Sequence, residues 1–326
     1  MDNKKSTAGV LLLNLGGPDS LQAVRPFLYN LFSDRDIIRL GPSFLQKPLA
    51  WLISTLRSNK TVSMYSQIGG KSPILDITTA QAKALEDSLK ADGRDAKVYI
   101  GMRYWHPFTH DTVRKICDDG IRDLIVLTLY PHYSKATTGS SVSDFKKAVS
   151  GKDMNIRYIE QWPDFPPYIE ALAGLIASGM SGHEGGKYEV LYSAHSLPQS
   201  FIDEGDPYLD QIKLTIEKVN ERLSGEPYNM SRLKSHLSFQ SKTGPVKWLE
   251  PSTEDAIVTI AQSGCKGLFV VPISFVSDHI ETLYEIDILY KEFAERQGIR
   301  LKRCEALNTS EKFIDAMKEL VLSSMK

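Results

Sequence analysis

Short apolar runs alternate along this chain with longer stretches whose apolar residues recur at helical spacing. The runs predict buried strands, because a strand covered on both faces reads as continuously apolar; the longer stretches predict amphipathic helices. In the first half the strands fall at Val10–Leu15, Lys97–Gly101, Leu124–Tyr130 and Ile156–Glu160. In the second half they fall at Glu189–Ala194, His236–Gln240, Leu268–Ile273 and Ile299–Arg303. Helices between them include Thr79–Ala91, Thr109–Asp118, Tyr208–Leu223 and Glu254–Ser263. Alternation of this kind builds an α/β protein with parallel sheets covered on both faces. The proline-rich Gln161–Pro167 (QWPDFPP) is the natural junction between two halves of similar layout. No residue-level repeat accompanies that likeness, so duplication rests on architecture alone.

In each half the strands run into loops dense in polar and aromatic residues. These are LNLGGPD, GMRYWHP and LYPHYSKATTGSS, then YSAHSLP, SFQSKTGP and ISFVSDHIE. Open α/β sheets bind ligands beyond the carboxyl ends of their strands, so a site is expected on these six loops, bordering one cleft if the two domains face each other. Phe27–Phe32 and Phe44–Ile53 are apolar enough to lie on a membrane surface, but burial in a lip or core is the expectation.

Composition narrows the class. At 326 residues the chain has room for two domains, and 42% hydrophobic with 24% charged residues is the balance of a soluble globular protein. A net charge of -1 argues against a nucleic-acid partner, which favours a basic face. Cys117, Cys265 and Cys304 form no C-x-x-C pair, so neither a disulfide framework nor a zinc knuckle is expected, and a reducing cytoplasm is the default. No run approaches the ~18–20 apolar residues of a membrane span. The few apolar residues after MDNKKSTAG are too short for a secretion signal.

Candidate chemistry concentrates in Pro272–Asp287, PISFVSDHIETLYEID. A strand opens there into a loop that places His279, Glu281 and Glu285 at a helix start. Glu281 and Glu285, four apart, share a face. An imidazole with two carboxylates suits proton transfer or a divalent metal. Asp278-x-x-Glu281 is equally a capping-box pattern that needs no chemistry. His195 follows a strand and is flanked by Ser193 and Ser196, which can orient its ring; a histidine satisfied by a backbone carbonyl is the plain alternative. Asn14–Asp19 is a weak phosphate-loop candidate, or a tight turn allowing close backbone approach to a flat ligand. Arg103 with Tyr104 and Trp105 can hold an anionic or planar ligand, or pack a domain seam, and Trp248 carries the same ambiguity. Thr137–Ser141 reads as an anion-binding or merely capping loop, and the glycine turn Ile68–Pro73 as a connector.

Together these segments resemble ferrochelatases, the family that inserts ferrous iron into a porphyrin late in heme synthesis. The likeness spans nearly the whole chain through LLLNLGGPDSL, YSQIGGKSPI, YIGMRYWHP, YPHYSKATTGSS, YSAHSLP, FQSKTGPVKWLEP and SFVSDHIETLYEID. It implies two similar Rossmann-like domains with four-stranded parallel sheets, at 1–163 and 164–326, and porphyrin in an interdomain cleft. A last helix near 310–322 would cross back to the first domain. The resemblance implies that His195 is the active-site histidine, with His279 and Glu281 the second histidine and the carboxylate of metal insertion. His195 and Glu281 would hold the metal, and Glu285 would lie behind them on its path. It places Arg103 and Tyr104 on the opposite wall, with Trp248 and Phe275 as apolar lining. Tyr130 and Ser141 fall on the first-domain side, and Arg57, Tyr65 and Ser72 by the propionates.

Some family members bind an iron–sulfur cluster through cysteines of a C-terminal extension and one in the YPxYSC loop. Lys135 takes that loop position here and the chain ends without such an extension, so no cluster is expected and Fe²⁺ enters as substrate. The expected partners are a porphyrin and ferrous iron, with no obligate protein partner; LNLGGPD resembles the users of protoporphyrin IX, and the sequence does not decide between it and coproporphyrin III. The expected location is the cytoplasm, with peripheral contact at the inner face of the membrane left open. Two other readings compete: a cobalt or nickel chelatase for a sirohydrochlorin-type ring, and a heme or porphyrin carrier without turnover. The FQSK and IGGxSP motifs favour the porphyrin enzyme over the first, and His195 with Glu281 weigh against the second.

Overall fold

The computed structural model describes residues 8–38, 41–181 and 188–325. The N-terminal stretch weighed above as a secretion signal lies largely outside them. The chain divides into two compact units, one of Met1–Trp162 with Asn308–Lys326, the other of Pro163–Leu307.

Unit 1 is built on β1 (Ala8–Asn14), β2 (Ala96–Met102), β3 (Asp123–Thr128) and β4 (Asn155–Ile159), all parallel in the order β2-β1-β3-β4. Val10–Asn14 are buried without a break, as the continuous apolar run requires of a central strand. The helices are α1 (Val24–Ser33), α2 (Gln46–Ser66), α3 (Ile74–Ala91), α4 (Thr109–Asp118) and α5 (Ser140–Ala148). Helix α3 buries Ile74, Thr78, Gln81, Ala82, Leu85 and Leu89, the spacing of one helical face. On the other side, Leu11, Leu13, Val113, Ile116 and Phe145 join one core cluster.

Unit 2 contains α6 (Pro166–Met180), β5 (Glu189–His195), α7 (Gln199–Asp203), α8 (Tyr208–Ser224), β6 (Ser235–Gln240) and α9 (Thr253–Gln262). It continues through β7 (Gly267–Pro272), α10 (Lys291–Arg296) and β8 (Arg300–Arg303). Its sheet is parallel, in the order β6-β5-β7-β8. Counted within each unit, both sheets run second-first-third-fourth, so the strand order reverses between first and third. Ligands bind at such switch points. Gly179 of α6 shows how closely the layers pack, since a β-carbon there would lie 2.4 Å from the Phe269 ring of β7. The tail helix α11 (Glu311–Met325) belongs to unit 1, where it buries Phe313, Met317, Leu320 and Val321 and packs on α3, β3 and β4.

All eight expected strands are present, with ends shifted by a residue or two. Leu15, Tyr130, Glu160 and Ile273 lie beyond their strands, and α3 begins five residues before the expected Thr79, at Ile74 behind Pro73. Two expectations need correction. Phe27 and Phe32 are buried, but Phe44 (76% exposed), Leu45, Trp51 (55%) and Leu52 face outward. The buried face of α2 is formed instead by Gln46, Ala50, Ser54 and Tyr65. Small residues bring α2 close to α1, and Gln46 Nε2 donates to the carbonyls of Phe32 (2.7 Å) and Ile38 (2.8 Å). The apolar residues are left on the outside. The second correction is that Glu281–Tyr290 is wound in wide π-helical turns rather than as an α-helix.

Candidate active site

In unit 2 the parallel register sets His195, the last residue of β5, beside Gln240, the last of β6. Ser241 follows with φ +66°, a left-handed backbone uncommon for a residue bearing a side chain. That turn aims its hydroxyl at two carboxylates, Glu281 Oε2 at 3.0 Å and Glu285 Oε2 at 2.5 Å. Glu281 Oε2 also lies 2.8 Å from His195 Nδ1. Glu281 Oε1 lies 4.0 Å from His279 Nε2. The Phe275 ring stands 4.3 Å from the His279 ring and edge-on to His195 at 6.4 Å. His195, His279, Glu281, Glu285 and Phe275 are therefore one cluster at the switch point between β5 and β7.

Hydrogen bonds fix the cluster's backbone. The His195 N–H donates to Ser274 Oγ (2.9 Å), and Tyr208 Oη donates to the His195 carbonyl (2.9 Å). Ser193 Oγ donates to Gln240 Oε1 (2.6 Å), whose Nε2 reaches the Glu281 carbonyl (3.3 Å). The flanking serines do not orient the ring as expected. Ser193 is spent on Gln240, and Ser196 Oγ is buried without a partner. Nor does Asp278 form a capping box with Glu281. Asp278 Oδ1 accepts from Thr282 Oγ1 (2.9 Å) and Arg303 Nη1 (2.9 Å), while Glu281 turns its carboxylate to His195 and Ser241.

Electrostatics divide the two glutamates. Burial opposes ionisation of Glu281, but the His195 imidazole outweighs it and holds the carboxyl down at about 2. Burial and the neighbouring Glu281 charge push Glu285 up to about 7, against the Ser241 hydrogen bond. Burial lowers the His195 pKa, but the Glu281 charge and hydrogen bond win and raise it. His279 is lowered, burial outweighing Glu281 and its hydrogen bond to the Ser277 carbonyl (3.1 Å). Ionised Glu281 makes His195 Nδ1 the donor, and Ser277 does the same for His279 Nδ1, so each ring has Nε2 left to accept a proton or a metal. Among the described residues no three His, Cys, Asp or Glu side chains close into a metal cage. An imidazole and a carboxylate in an open arrangement suit loose binding of a divalent metal. Trp248 is half-buried after the SFQSKTGP loop, its Nε1 donating to the Gly244 carbonyl (3.4 Å).

In unit 1, Arg103 and Tyr104 follow β2, Tyr130 follows β3, and Ser72 packs on the loop after β1, while Arg57 and Tyr65 lie on α2. Arg103 and Tyr104 are drawn in by Asp34 at the end of α1, a residue sequence reading missed. Asp34 Oδ2 accepts from Arg103 Nη2 (2.7 Å), Tyr104 Oη (2.6 Å) and Ser140 Oγ (2.5 Å). Arg103 Nε donates to Ser140 Oγ at 2.8 Å, and the guanidinium lies 4.8 Å over the Tyr104 ring. Burial opposes ionisation of Asp34, yet Ser140, Tyr104 and Arg103 hold its pKa below the ordinary carboxylate value. Tyr104 is only 1% exposed, so its hydroxyl serves this network. Tyr130 Oη lies 3.3 Å from Ser141 Oγ. Ser72 is buried against the β1 loop, its N–H on the Pro18 carbonyl (2.8 Å), and a β-carbon at Gly17 would come within 2.5 Å of Ser72 Oγ. Tyr65 is buried, and Arg57 is exposed, its guanidinium 5.7 Å over the Phe32 ring.

The fold is that of the metal chelatases. The sirohydrochlorin chelatase SirB of Bacillus subtilis subspecies spizizenii, solved with cobalt, superposes with a TM-score of 0.54 at 12% identity, over 98% of this chain and 95% of its own. SirB from Bacillus subtilis, solved with Fe³⁺, gives 0.55 at 10% identity over the same shares. Ferrochelatases of Desulfotalea psychrophila (51% identical over 318 residues, 97% of each chain) and Geotalea uraniireducens (52% over 316, 96% of each) are far nearer in sequence. The ferrochelatase family model matches residues 7–325, and the chain belongs to that family. It is accordingly a metal chelatase, a lyase of heme biosynthesis.

Proposed function

We propose that the chain inserts Fe²⁺ into protoporphyrin IX, with His195, His279 and Glu281 as the reacting groups. Insertion replaces two pyrrole N–H protons by one metal ion, so bases must stand where the metal enters. The reading is carried by the 2.8 Å contact of His195 Nδ1 with an ionised Glu281, which leaves His195 Nε2 free to take a pyrrole proton. His195 and Glu281 offer the donor set for iron, and Glu285, linked through Ser241, stands next along its path. Arg103, Tyr104, Tyr130, Ser141, Trp248 and Phe275 are proposed to face the macrocycle or support those that do, and Arg57, Tyr65 and Ser72 its propionates. Iron is cargo, and no tightly bound cofactor or iron–sulfur cluster is part of this reading. No nucleic acid or obligate protein partner is part of it either.

Anaerobic incubation with Fe²⁺ and either protoporphyrin IX or coproporphyrin III, followed by visible absorption, tests it. Metalloporphyrin bands are expected, faster with protoporphyrin IX, and a Glu281→Ala variant should lose about 100-fold or more in rate. A folded Glu281→Ala chain working at the normal rate would overturn the assignment. Among the described residues no helix is long and apolar enough to cross a membrane. We propose a cytoplasmic chain that touches the membrane surface through Phe44, Trp51 and Leu56, which are exposed on or beside α2. Vesicle co-sedimentation that Trp51→Glu leaves unchanged would remove that contact.

A further inference from the structure

Arg303 carries none of the chemistry above, yet it grips the segment that does. At the end of β8 its side chain is 11% exposed and its guanidinium makes four hydrogen bonds. Nε and Nη2 donate to the two oxygens of Asp287, each at 2.9 Å, a bidentate fork on the second turn of the π-helical segment. Nη1 donates to Asp278 Oδ1 at 2.9 Å, just before that segment, and to the Cys304 carbonyl at 3.2 Å. The same Asp278 oxygen accepts from Thr282 Oγ1, which in turn accepts the His279 N–H at 3.0 Å. One cation thus ties together the loop before the wide turns, the turns themselves and the backbone of His279.

The segment needs such a tie. Wide turns bond i to i+5, are rarely stable beyond a single turn, and here run from Glu281 to Tyr290. Its carboxylates are sorted between two grips: Glu281 and Glu285 to Ser241, Asp278 and Asp287 to Arg303. Relaxation to i-to-i+4 bonding would rotate the side chains of the segment about its axis relative to Arg303, Glu281 and Glu285 included, and part the glutamates from Ser241.

We propose that Arg303 is a positioning residue of the chelatase site, its paired grip on Asp278 and Asp287 holding the wide-turn register that aims Glu281 at His195. This rests on the reading of that pair as the place of metal insertion. The test uses the full chain with Arg303→Met and Arg303→Lys. It measures kcat and KM for Fe²⁺ insertion into protoporphyrin IX, and amide hydrogen exchange across residues 278–290. For Arg303→Met, kcat should fall about 10- to 100-fold, as a small displacement of a reacting group does. KM for porphyrin should stay within about twofold, since the macrocycle's anchors lie elsewhere. Exchange across 278–290 should quicken. Arg303→Lys keeps the charge without the fork and should recover part of both changes. A folded Arg303→Met chain with normal kcat, or with reduced kcat and unchanged exchange, overturns the proposal. Should Arg303→Met not fold, Asp287→Asn weakens the fork and leaves the Asp278 contact, and the same readouts decide. Failure of the wild-type chain to insert metal would instead overturn the proposed function, while the exchange comparison would still judge the grip.

Discussion

Glu281 and Glu285 share a serine hydroxyl, yet the His195 imidazole holds one carboxyl well below its usual value while burial and the Glu281 charge push the other up to about 7. Two carboxylates so close cannot both ionise cheaply, and the imidazole decides which one does. The stability consequences have opposite signs. Glu281, with a folded pKa below its usual 4.5, adds stability present above that value and lost as pH falls toward 2. Glu285, raised from 4.5 to about 7, does the reverse: its contribution is full below 4.5 and is lost as pH rises through 7. Glu285→Gln should therefore gain on wild type by an amount growing between about pH 4.5 and 7 and level above it, on the order of 1–3 kcal/mol. Urea unfolding at several pH values measures it, and a pH-independent difference would refute it. His195, also raised, loses its share on the same alkaline side, so the difference between variant and wild type is the quantity to read. The types and positions of His195, His279 and Glu281 were legible in the sequence, because motifs at strand ends expose such residues. Ser241 was not singled out within FQSK, since nothing in a serine's identity announces a left-handed backbone that aims it at two acids.

At the scale of elements, α1, the loop after β2 and the start of α5 meet at one carboxylate. Asp34 receives Arg103, Tyr104 and Ser140, and all four side chains are largely or wholly buried. Removing one member of a buried charged set strands the others without partners, which costs about 3–5 kcal/mol. Asp34→Ala should lower stability by that order in thermal or urea unfolding, far more than an exposed pair such as Lys83–Asp87. A loss below about 1 kcal/mol would show that Arg103 finds another partner. The apolar run at Lys97–Gly101 placed β2, but α1 was read only as an apolar segment, and nothing local pairs Asp34 with residues some 70 positions away. In α2 apolar content misled, because Gln46, Ala50 and Ser54 form the buried face while aromatic and aliphatic side chains face out. Apolar content alone does not say which face of a helix is covered.

At the scale of the whole molecule, the last helix returns to the first unit. Phe313 of α11 is fully buried, its ring 6.2 Å from that of Trp162, and Gln81 Nε2 reaches the Asn308 carbonyl at 2.7 Å. A chain ending at Leu307 should expose the face of unit 1 that α11 covers while leaving the core of unit 2 whole. Calorimetry should show the unit 1 transition lowered or lost and the unit 2 transition retained; parallel loss of both would mean that the units do not unfold separately.

By itself the sequence determined the alternation of strands and helices, the eight strands within a residue or two, and the family, because each follows from local periodicity or contiguous motifs. Only the tertiary structure decided that Glu281 pairs with His195 across 86 positions, that Ser241 joins two glutamates, and that Asp34 and Arg303 hold the segments around them. Those are contacts between residues distant in the chain, fixed by strand register and by wide helical turns whose geometry no local pattern encodes.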